Sequence, residues 1–404
     1  MLYQLNLREV TYALSEALDY VGIDDIMHGK RVAYIACEIA KKLGWRQSKL
    51  DKVMLMAMLH DCGVSSTGVH HTIVNQLDWE DAYIHCAIGE SLLRDVPFYS
   101  DFADVIAFHH SHWEKFAFHL DEETKLYANL IFLCDRIDAL RSQFGAHLSH
   151  EKETIRALIQ THSPSMFAPS LCEAFIEISY RDSFWYYLDA YALPHYFKEW
   201  IDQGEIQAIH FDELKKIAMM FAGIVNAKIS HDDQNTVRLA SLARFIARLY
   251  NLSLRDQETV ELCALLYDLG KLRVPDFLVT KTVPLSDEEH IRIRRQGFDA
   301  QIILGQIKGF EKIAKTVSLY HEVQNTKEKG IPDDEALKPI EVRILSLANT
   351  INALMPLQTS VLVETLETVI DEHQLNTLIA PYIADYLASY KTNLASNRLH
   401  VKGF

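Results

Sequence analysis

The 404-residue chain is short of the residues that break helices and of those that cross-link: 15 glycines, 10 prolines and six cysteines. Cys37, Cys62, Cys86, Cys134, Cys172 and Cys263 form no CxxC pair, and so few make no disulfide framework. A reducing, cytoplasmic compartment is the expectation. Positive charge is also scarce: 40 Lys and Arg against 55 Asp and Glu give a net charge of −15. That argues against polymeric nucleic acid, which needs a basic face, and against an anionic membrane surface. No run approaches the ~18 apolar residues of a membrane span. The N-terminus MLYQLNLREV lacks the basic and apolar regions of a signal peptide. Neither GxxxxGK[ST] nor GxGxxG occurs, so nothing points to ATP or a redox dinucleotide. What is abundant is histidine: 19 in all, 11 of them in the first 150 residues.

Helical periodicity dominates. Val32, Ile35, Ala36, Ile39, Ala40 and Leu43 follow the spacing of one helical face, with Lys41 and Lys42 off the stripe. Similar patterns cover roughly 50–60, 84–93, 101–113 and 125–140. Long alternating runs and hairpin signals are missing, so the expected fold class is all-α. The chain also repeats itself. HGKRVAYIACEIAKKLGW…AMLHDCG is echoed by NTVRLASLARFIARLYNL…ALLYDLG. Arg31 to Asp61 and Arg238 to Asp268 each span 30 residues, an offset of 207. Length allows two or three domains; the repeat predicts two tandem helical bundles, about 1–200 and 201–404. The stretch 161–170 reads as a loop. The aromatic run Phe184–Trp200 is expected to close the first half or pack against the second.

In the first half, ionisable residues fall on the apolar sides of these helices. His28 lies one turn before Val32. His60 and Asp61 end the run MLMAMLHD, with Gly63 as a helix stop. His85 precedes Ile88, Leu92 and Leu93. His109 and His110 continue the face of Phe102, Val105 and Ile106. Asp135 lies one turn after Ile131. Burying any one of these unpaired costs a few kcal/mol or more. A lone histidine here would read as a satisfied core residue; seven converging groups do not. Mixed imidazole and carboxylate ligands suit iron, manganese or another divalent ion. Seven ligands exceed the needs of one ion, which implies at least two sharing a bridging carboxylate.

HGKRVA, MLHDCG, HCAIGESLL, HHSHW and CDRIDAL resemble, in order and spacing over about 110 residues, the successive motifs of the HD-GYP family of HD-domain phosphohydrolases. The family's members are all-helical phosphodiesterases that open cyclic dinucleotides with two or three metal ions. By position the resemblance implies His28, His60, Asp61, His85, His109, His110 and Asp135 as ligands, with Asp61 bridging and the His60–Asp61 pair at the catalytic centre. Some relatives add a carboxylate four residues before the first histidine, where Asp24 stands. Two ions of this kind hold a hydroxide at neutral pH and clamp the phosphate for in-line attack. Their charge would give an acidic protein a locally positive pocket. The implied reaction is hydrolysis of a cyclic dinucleotide, 3′3′-cGAMP or c-di-GMP, to the linear dinucleotide. The tandem form resembles the 3′3′-cGAMP-cleaving subset and is compatible with a homodimer.

Several positions depart from the family pattern. The family's HDxGK lysine is replaced by Val64, leaving Ser65 and Ser66 as neutral donors nearby. The GYP signature is missing between His110 and Asp135. Trp113 matches the aromatic that follows HHxx in relatives, and Arg141 is the nearest basic residue after the last Asp. In the second half Asn235, Tyr267, Gln296, Tyr320 and Asn349 replace ligands, while Asp268, Lys271 and His321 remain. That half reads as a degenerate repeat without metals. Gly330–Ile331–Pro332 is a trace of GYP, and His231–Asp232 an incidental HD pair. Two other readings stay open: another nucleotide phosphohydrolase of the HD superfamily, and a non-catalytic signalling scaffold or cyclic-dinucleotide binder.

Overall fold

The computed structural model describes residues 2–22, 27–79, 81–116, 119–144, 148–229, 235–328, 338–354 and 363–401. The first half runs through strand β1 (Leu2–Asn6) and helices α1 (Leu7–Asp19), α2 (His28–Lys42), α3 (Gln47–Leu59), α4 (Thr67–Asn75), α5 (Ala82–Arg94), α6 (Ala103–Ala107) and α7 (Glu122–Phe144). It continues through α8 (Leu148–Thr161), α9 (Pro169–Ser179), α10 (Asp182–Tyr186) and α11 (Leu193–Asp202). The second half opens on strand β2 (Ile206–His210), then α12 (Phe211–Ile229), α13 (Asn235–Leu249), α14 (Leu254–Leu266), α15 (Asp276–Val279), α16 (Asp287–Arg294) and α17 (Gln296–Gly305). It ends with α18 (Glu311–Glu328), α19 (Ile340–Leu354), α20 (Val363–Glu372) and α21 (Ala380–Val401). No described helix is long and apolar enough to cross a membrane. Asp24, His231, Asp232, Gly330, Ile331 and Pro332 lie outside the described residues.

The protein is mostly helical, with α2 at the centre of the first half. From His28 to Ala40 only Glu38 on this helix escapes full burial, because α2 packs against α1, α3, α7 and α9 at once. In the second half α13 takes the same place against α14 and α19. The repeat also preserves a close approach. A Cβ on Gly63 would lie 1.9 Å from the His85 carbonyl oxygen, and one on Gly270 2.0 Å from that of Gln296. Only glycine lets the turn after the third helix press against the helix that follows.

Two features differ from the sequence reading. A short ladder joins β1 to β2, antiparallel, with Leu2 opposite His210 and Asn6 opposite Ile206. Five-residue strands leave little alternation to detect, and an isolated pair is marginal by itself. Here each strand runs directly into a long helix that anchors it. The helix expected over 101–113 is also cut short, to Ala103–Ala107. The chain turns at Phe108, and the His109 Nδ1–H donates to the Ile106 carbonyl at 2.7 Å. Adjacent residues on a continuous helix point about 100° apart; the turn lets His109 and His110 face one interior. The aromatic run does close the first half: Tyr34 of α2 packs on Phe184 and Tyr196, and Tyr12 of α1 on Phe197.

The halves exchange helices. α1 packs on α17 and on the 3-10 turn Leu269–Arg273, and α12 on α5. At the seam the Lys228 ammonium, its side chain only 1% exposed, lies 2.8 Å from Asp276 Oδ1 and 3.3 Å from Thr67 Oγ1. The other Asp276 oxygen accepts from Ser66 Oγ at 2.8 Å. Removing the carboxylate by Asp276→Ala strands a buried ammonium. We expect a loss of roughly 1–3 kcal/mol, below the cost of breaking a fully buried pair because Asp276 is partly exposed. Lys228→Met, which keeps the apolar stem, should cost less. Equilibrium urea unfolding of both variants checks the order.

Candidate metal centre

Five elements bring the sequence-selected groups together. His28 is the first residue of α2, and His60 and Asp61 follow directly on α3. His85 lies in the first turn of α5, His109 and His110 in the turn after α6, and Asp135 within α7. The centre is the Asp61 carboxylate. Its Oδ2 faces His60 Nε2 at 3.3 Å and His28 Nε2 at 3.6 Å. Its Oδ1 faces His85 Nε2 at 3.6 Å and His109 Nε2 at 3.9 Å. The ligating atoms therefore sort into two groups, His28–His60–Asp61 and Asp61–His85–His109–His110, each within 4.8 Å internally, with Asp61 common to both. Asp135 spans them from another side, its Oδ1 3.4 Å from His28 Nε2 and its Oδ2 3.8 Å from His110 Nε2.

Hydrogen bonds at the rear aim these rings. His60 Nδ1–H donates to the Ala57 carbonyl at 2.8 Å, and His28 Nδ1 meets Asp138 Oδ2 at 2.9 Å. With His109 bonded in the same way, three Nε2 lone pairs are turned inward. The inward atoms themselves lack protein partners. His28 Nε2, His60 Nε2, His110 Nε2, Asp61 Oδ1 and Asp135 Oδ1 are all buried without a hydrogen bond. Orphaned polar atoms at this density are costly, and divalent ions satisfy such a set of nitrogens and carboxylate oxygens together. The residues thus fit a pair of ions sharing Asp61.

The charges are strongly coupled. Burial pushes His109 down to about 3, with His85 and His60 adding to the shift, so its ring is neutral. His85 and His110 are lowered for the same reason. Burial opposes protonation of His28 and His60 too, but Asp135 and Asp138 outweigh it at His28 and Asp61 at His60, so both are raised. Asp61 is held well below the usual carboxylate range, despite burial, by His60, His85 and His28.

Two residues that the sequence reading passed over complete the centre. Asp138 accepts from His28, from Arg31 Nε at 2.7 Å and from Arg141 Nε at 2.8 Å. It therefore orients a ring that would hold an ion. Its signal was the DxxD spacing of CDRIDAL, one turn beyond Asp135, with Arg31 present in both repeats. Arg136 donates to Asp135 Oδ2 at 2.6 Å and to the Ile73 carbonyl at 2.8 Å, fixing the carboxylate from behind. Arg141, expected as a substrate contact, is bound to Asp138. Ser66 caps α4 and donates to Asp276, while the Ser65 carbonyl oxygen lies 3.5 Å from Lys228 Nζ. Trp113 donates its backbone N–H to the Met166 carbonyl and packs on Phe116. A cavity of about 310 Å³ adjoins the centre at His110, with Asp78, Trp79, Tyr83, His112 and Lys115 in its lining. No spacing in the sequence singles out these five.

Residues 26–140 match the family model of the HD domain, and residues 219–371 match a second model of the same description. Over 369 residues the chain is 27% identical to the 3′3′-cGAMP-specific phosphodiesterase 1 of Vibrio cholerae, covering 87% of this chain and 83% of that protein. It is 26% identical over 173 residues to the 3′3′-cGAMP-specific phosphodiesterase 3 of the same organism, covering 42% and 37%. It is also 27% identical over 122 residues to the cyclic di-GMP phosphodiesterase response regulator RpfG of Xanthomonas campestris, covering 29% and 32%. The crystal structure of a cyclic GMP-AMP-specific phosphodiesterase of V. cholerae superposes with a TM-score of 0.61 at 19% identity, covering 96% of this chain and 98% of that one. At that identity the likeness shows a shared fold.

Asp135 and Asp138 favour the protonated form of His28, and Asp61 that of His60, so a cation at Nε2 must compete with a proton there. Loading the metal-stripped protein with Mn²⁺ should release protons, and affinity should rise with pH; proton release in weak buffer measures this directly. Asp138→Asn should weaken metal binding about 10–100-fold, read by competition with a chelating dye.

Proposed function

The chain carries two HD domains in tandem, and from that premise we propose that the first is a metal-dependent phosphodiesterase acting on a cyclic dinucleotide, 3′3′-cGAMP before c-di-GMP. The observation that carries this reading is the two-sided arrangement around Asp61, each oxygen facing its own set of imidazoles. We assign His28, His60, Asp61, His85, His109, His110 and Asp135 as ligands of two divalent ions, iron or manganese, with Asp61 shared. We take the domains to divide near residues 200 and 201. The preference for 3′3′-cGAMP rests on the match, over 87% of this chain, to a phosphodiesterase named for it.

A pair of divalent ions polarises a phosphoryl oxygen and lowers the pKa of water at the same site. The chain's own residues do the rest. Asp138, held by Arg31 and Arg141, keeps His28 oriented through Nδ1. Arg136 fixes the Asp135 carboxylate. The cavity beside His110 offers Trp79 and Tyr83 as aromatic faces for a purine, since base–aromatic stacking is worth about 1–3 kcal/mol per base. Lys115 supplies a cation for the phosphate that is not cut. In this reading Lys115 takes over the charge that the family-pattern lysine, replaced here by Val64, would supply.

Incubation of the Mn²⁺- or Fe²⁺-loaded protein with 3′3′-cGAMP, c-di-GMP and c-di-AMP, followed by chromatography, should give linear product from 3′3′-cGAMP fastest. All three remaining intact over hours would sink the enzyme reading. His60→Ala and Asp61→Ala should each abolish turnover with the fold retained by circular dichroism. Lys115→Ala should raise KM several-fold with kcat little changed, because it removes binding remote from the reacting phosphorus.

A further inference from the structure

Helix α4 joins the two halves, and each of its ends is held by a charge from elsewhere in the fold. At its N-terminus Ser66 caps the Val69 amide and donates to Asp276 Oδ2 at 2.8 Å, and the Gly68 N–H reaches the same oxygen at 3.5 Å. Thr67 Oγ1 donates to Asp276 Oδ1 at 3.3 Å. This carboxylate belongs to the second half and is fixed from behind by the buried Lys228 ammonium at 2.8 Å. At the C-terminus of α4 the carbonyls of Ile73 and Gln76 both accept from Arg136 Nη1. An anion at the N-terminus and a cation at the C-terminus are the signs that the helix macrodipole favours.

The C-terminal end leads directly to the metal centre. Arg136 is buried, and its Nη2 donates to Asp135 Oδ2 at 2.6 Å. The guanidinium is thus divided between one carboxylate and two carbonyls. While the carbonyls hold it behind Oδ2, Asp135 Oδ1 stays without a hydrogen bond, 3.4 Å from His28 Nε2, where it can serve a cation. Without the carbonyls the guanidinium's demand would fall on the carboxylate, and a bidentate pair with Asp135 would compete with a cation for its oxygens. His70 gives α4 a second contact with the centre. Its ring stands edge-on to that of His28, the centroids 6.2 Å apart. A shift of α4 therefore reaches two of the groups assigned as ligands.

We propose that the second half sets the metal affinity of the first through α4: Asp276 and Ser66 are positioning residues that seat this helix, hold Arg136 behind Asp135 and leave Oδ1 for a cation. The second half then serves the centre without a metal or ligand of its own. The proposal rests on the reading of Asp135 as a metal ligand.

The test is the Mn²⁺ affinity of the full chain, measured by competition with a chelating dye, together with hydrogen exchange of the metal-free protein. Ser66→Ala leaves the Lys228–Asp276 pair intact and strands no charge; Asp276→Ala removes the clamp from the other side. Both should weaken Mn²⁺ binding about three- to tenfold, less than the about 10–100-fold typical of a group bonded directly to a ligand. Both should also speed exchange of the amides of residues 69–76. Tyr3→Phe removes a hydrogen bond between the halves at another place, from the Tyr3 hydroxyl to Glu258 Oε2 at 3.1 Å, and should leave Mn²⁺ affinity unchanged. Arg136→Lys keeps the charge but not the fork. On that background Ser66→Ala should have little further effect, because losses that share one route do not add. Wild type failing to bind Mn²⁺ would overturn the metal-centre reading and the proposal with it. Wild type binding Mn²⁺, with Ser66→Ala and Asp276→Ala both at wild-type affinity, would overturn the coupling alone. So would an equal loss in Tyr3→Phe, or a fully additive loss in the Ser66→Ala/Arg136→Lys double variant.

Discussion

A carboxylate enclosed by imidazoles on both of its oxygens sets the plan of the first half. Asp61 has four Nε2 atoms within 3.9 Å, yet its Oδ1 has no hydrogen-bond partner. Divalent cations between its two sets of imidazoles would complete that arrangement. The rest of the first half follows from meeting this demand. α2 is buried nearly all round so that His28 can enter from its end. α6 stops after one turn so that two consecutive histidines can point inward. Gly63 has no side chain, so the turn that carries Asp61 can press against the His85 carbonyl.

The second half shows what happens when the demand is withdrawn and the frame is kept. His28, Arg31 and Asp138 are answered by Asn235, Arg238 and Asn352. The Arg238 guanidinium still donates, to Asn352 Oδ1 at 2.6 Å and to Asn235 Oδ1 at 2.8 Å. Asn352 Nδ2 donates to Asn235 Oδ1 at 2.8 Å. The hydrogen-bond skeleton survives with its acid–base character removed. The first helix of each half also rests on the other half, and the β1–β2 ladder runs antiparallel between equivalent segments. The symmetry is that of an isologous dimer contained in one chain. This coupling puts Lys228 and Asp276 of the second half against residues 65–68, a few positions after the Asp61 turn.

The all-helical class, the twofold repeat and the half that concentrates histidine and aspartate were legible in the sequence. Each depends on local periodicity or on residue identity at a fixed offset. Asp61 and the six groups around it were legible for the same reason, since each lies at a helix end or on an apolar face. The serines after Gly63, Trp113 and Arg141 have other work in the structure, as a helix cap, a packing ring and a partner of Asp138. Their nearness in sequence to the motifs did not carry over to the cavity, because a turn or a helix directs each side chain elsewhere.

The sequence by itself therefore determined which residues could make the centre and which half would hold it. Tertiary structure alone decided how they are aimed. His28 meets Asp138 across 110 residues, Arg136 meets the Ile73 carbonyl across 63, and Ser66 meets Asp276 across 210. Such pairings leave no periodic trace, since the chain between the partners can vary freely as long as the helices pack. The cavity beside His110 arises in the same way, as the space that remains once side chains from separate helices have packed.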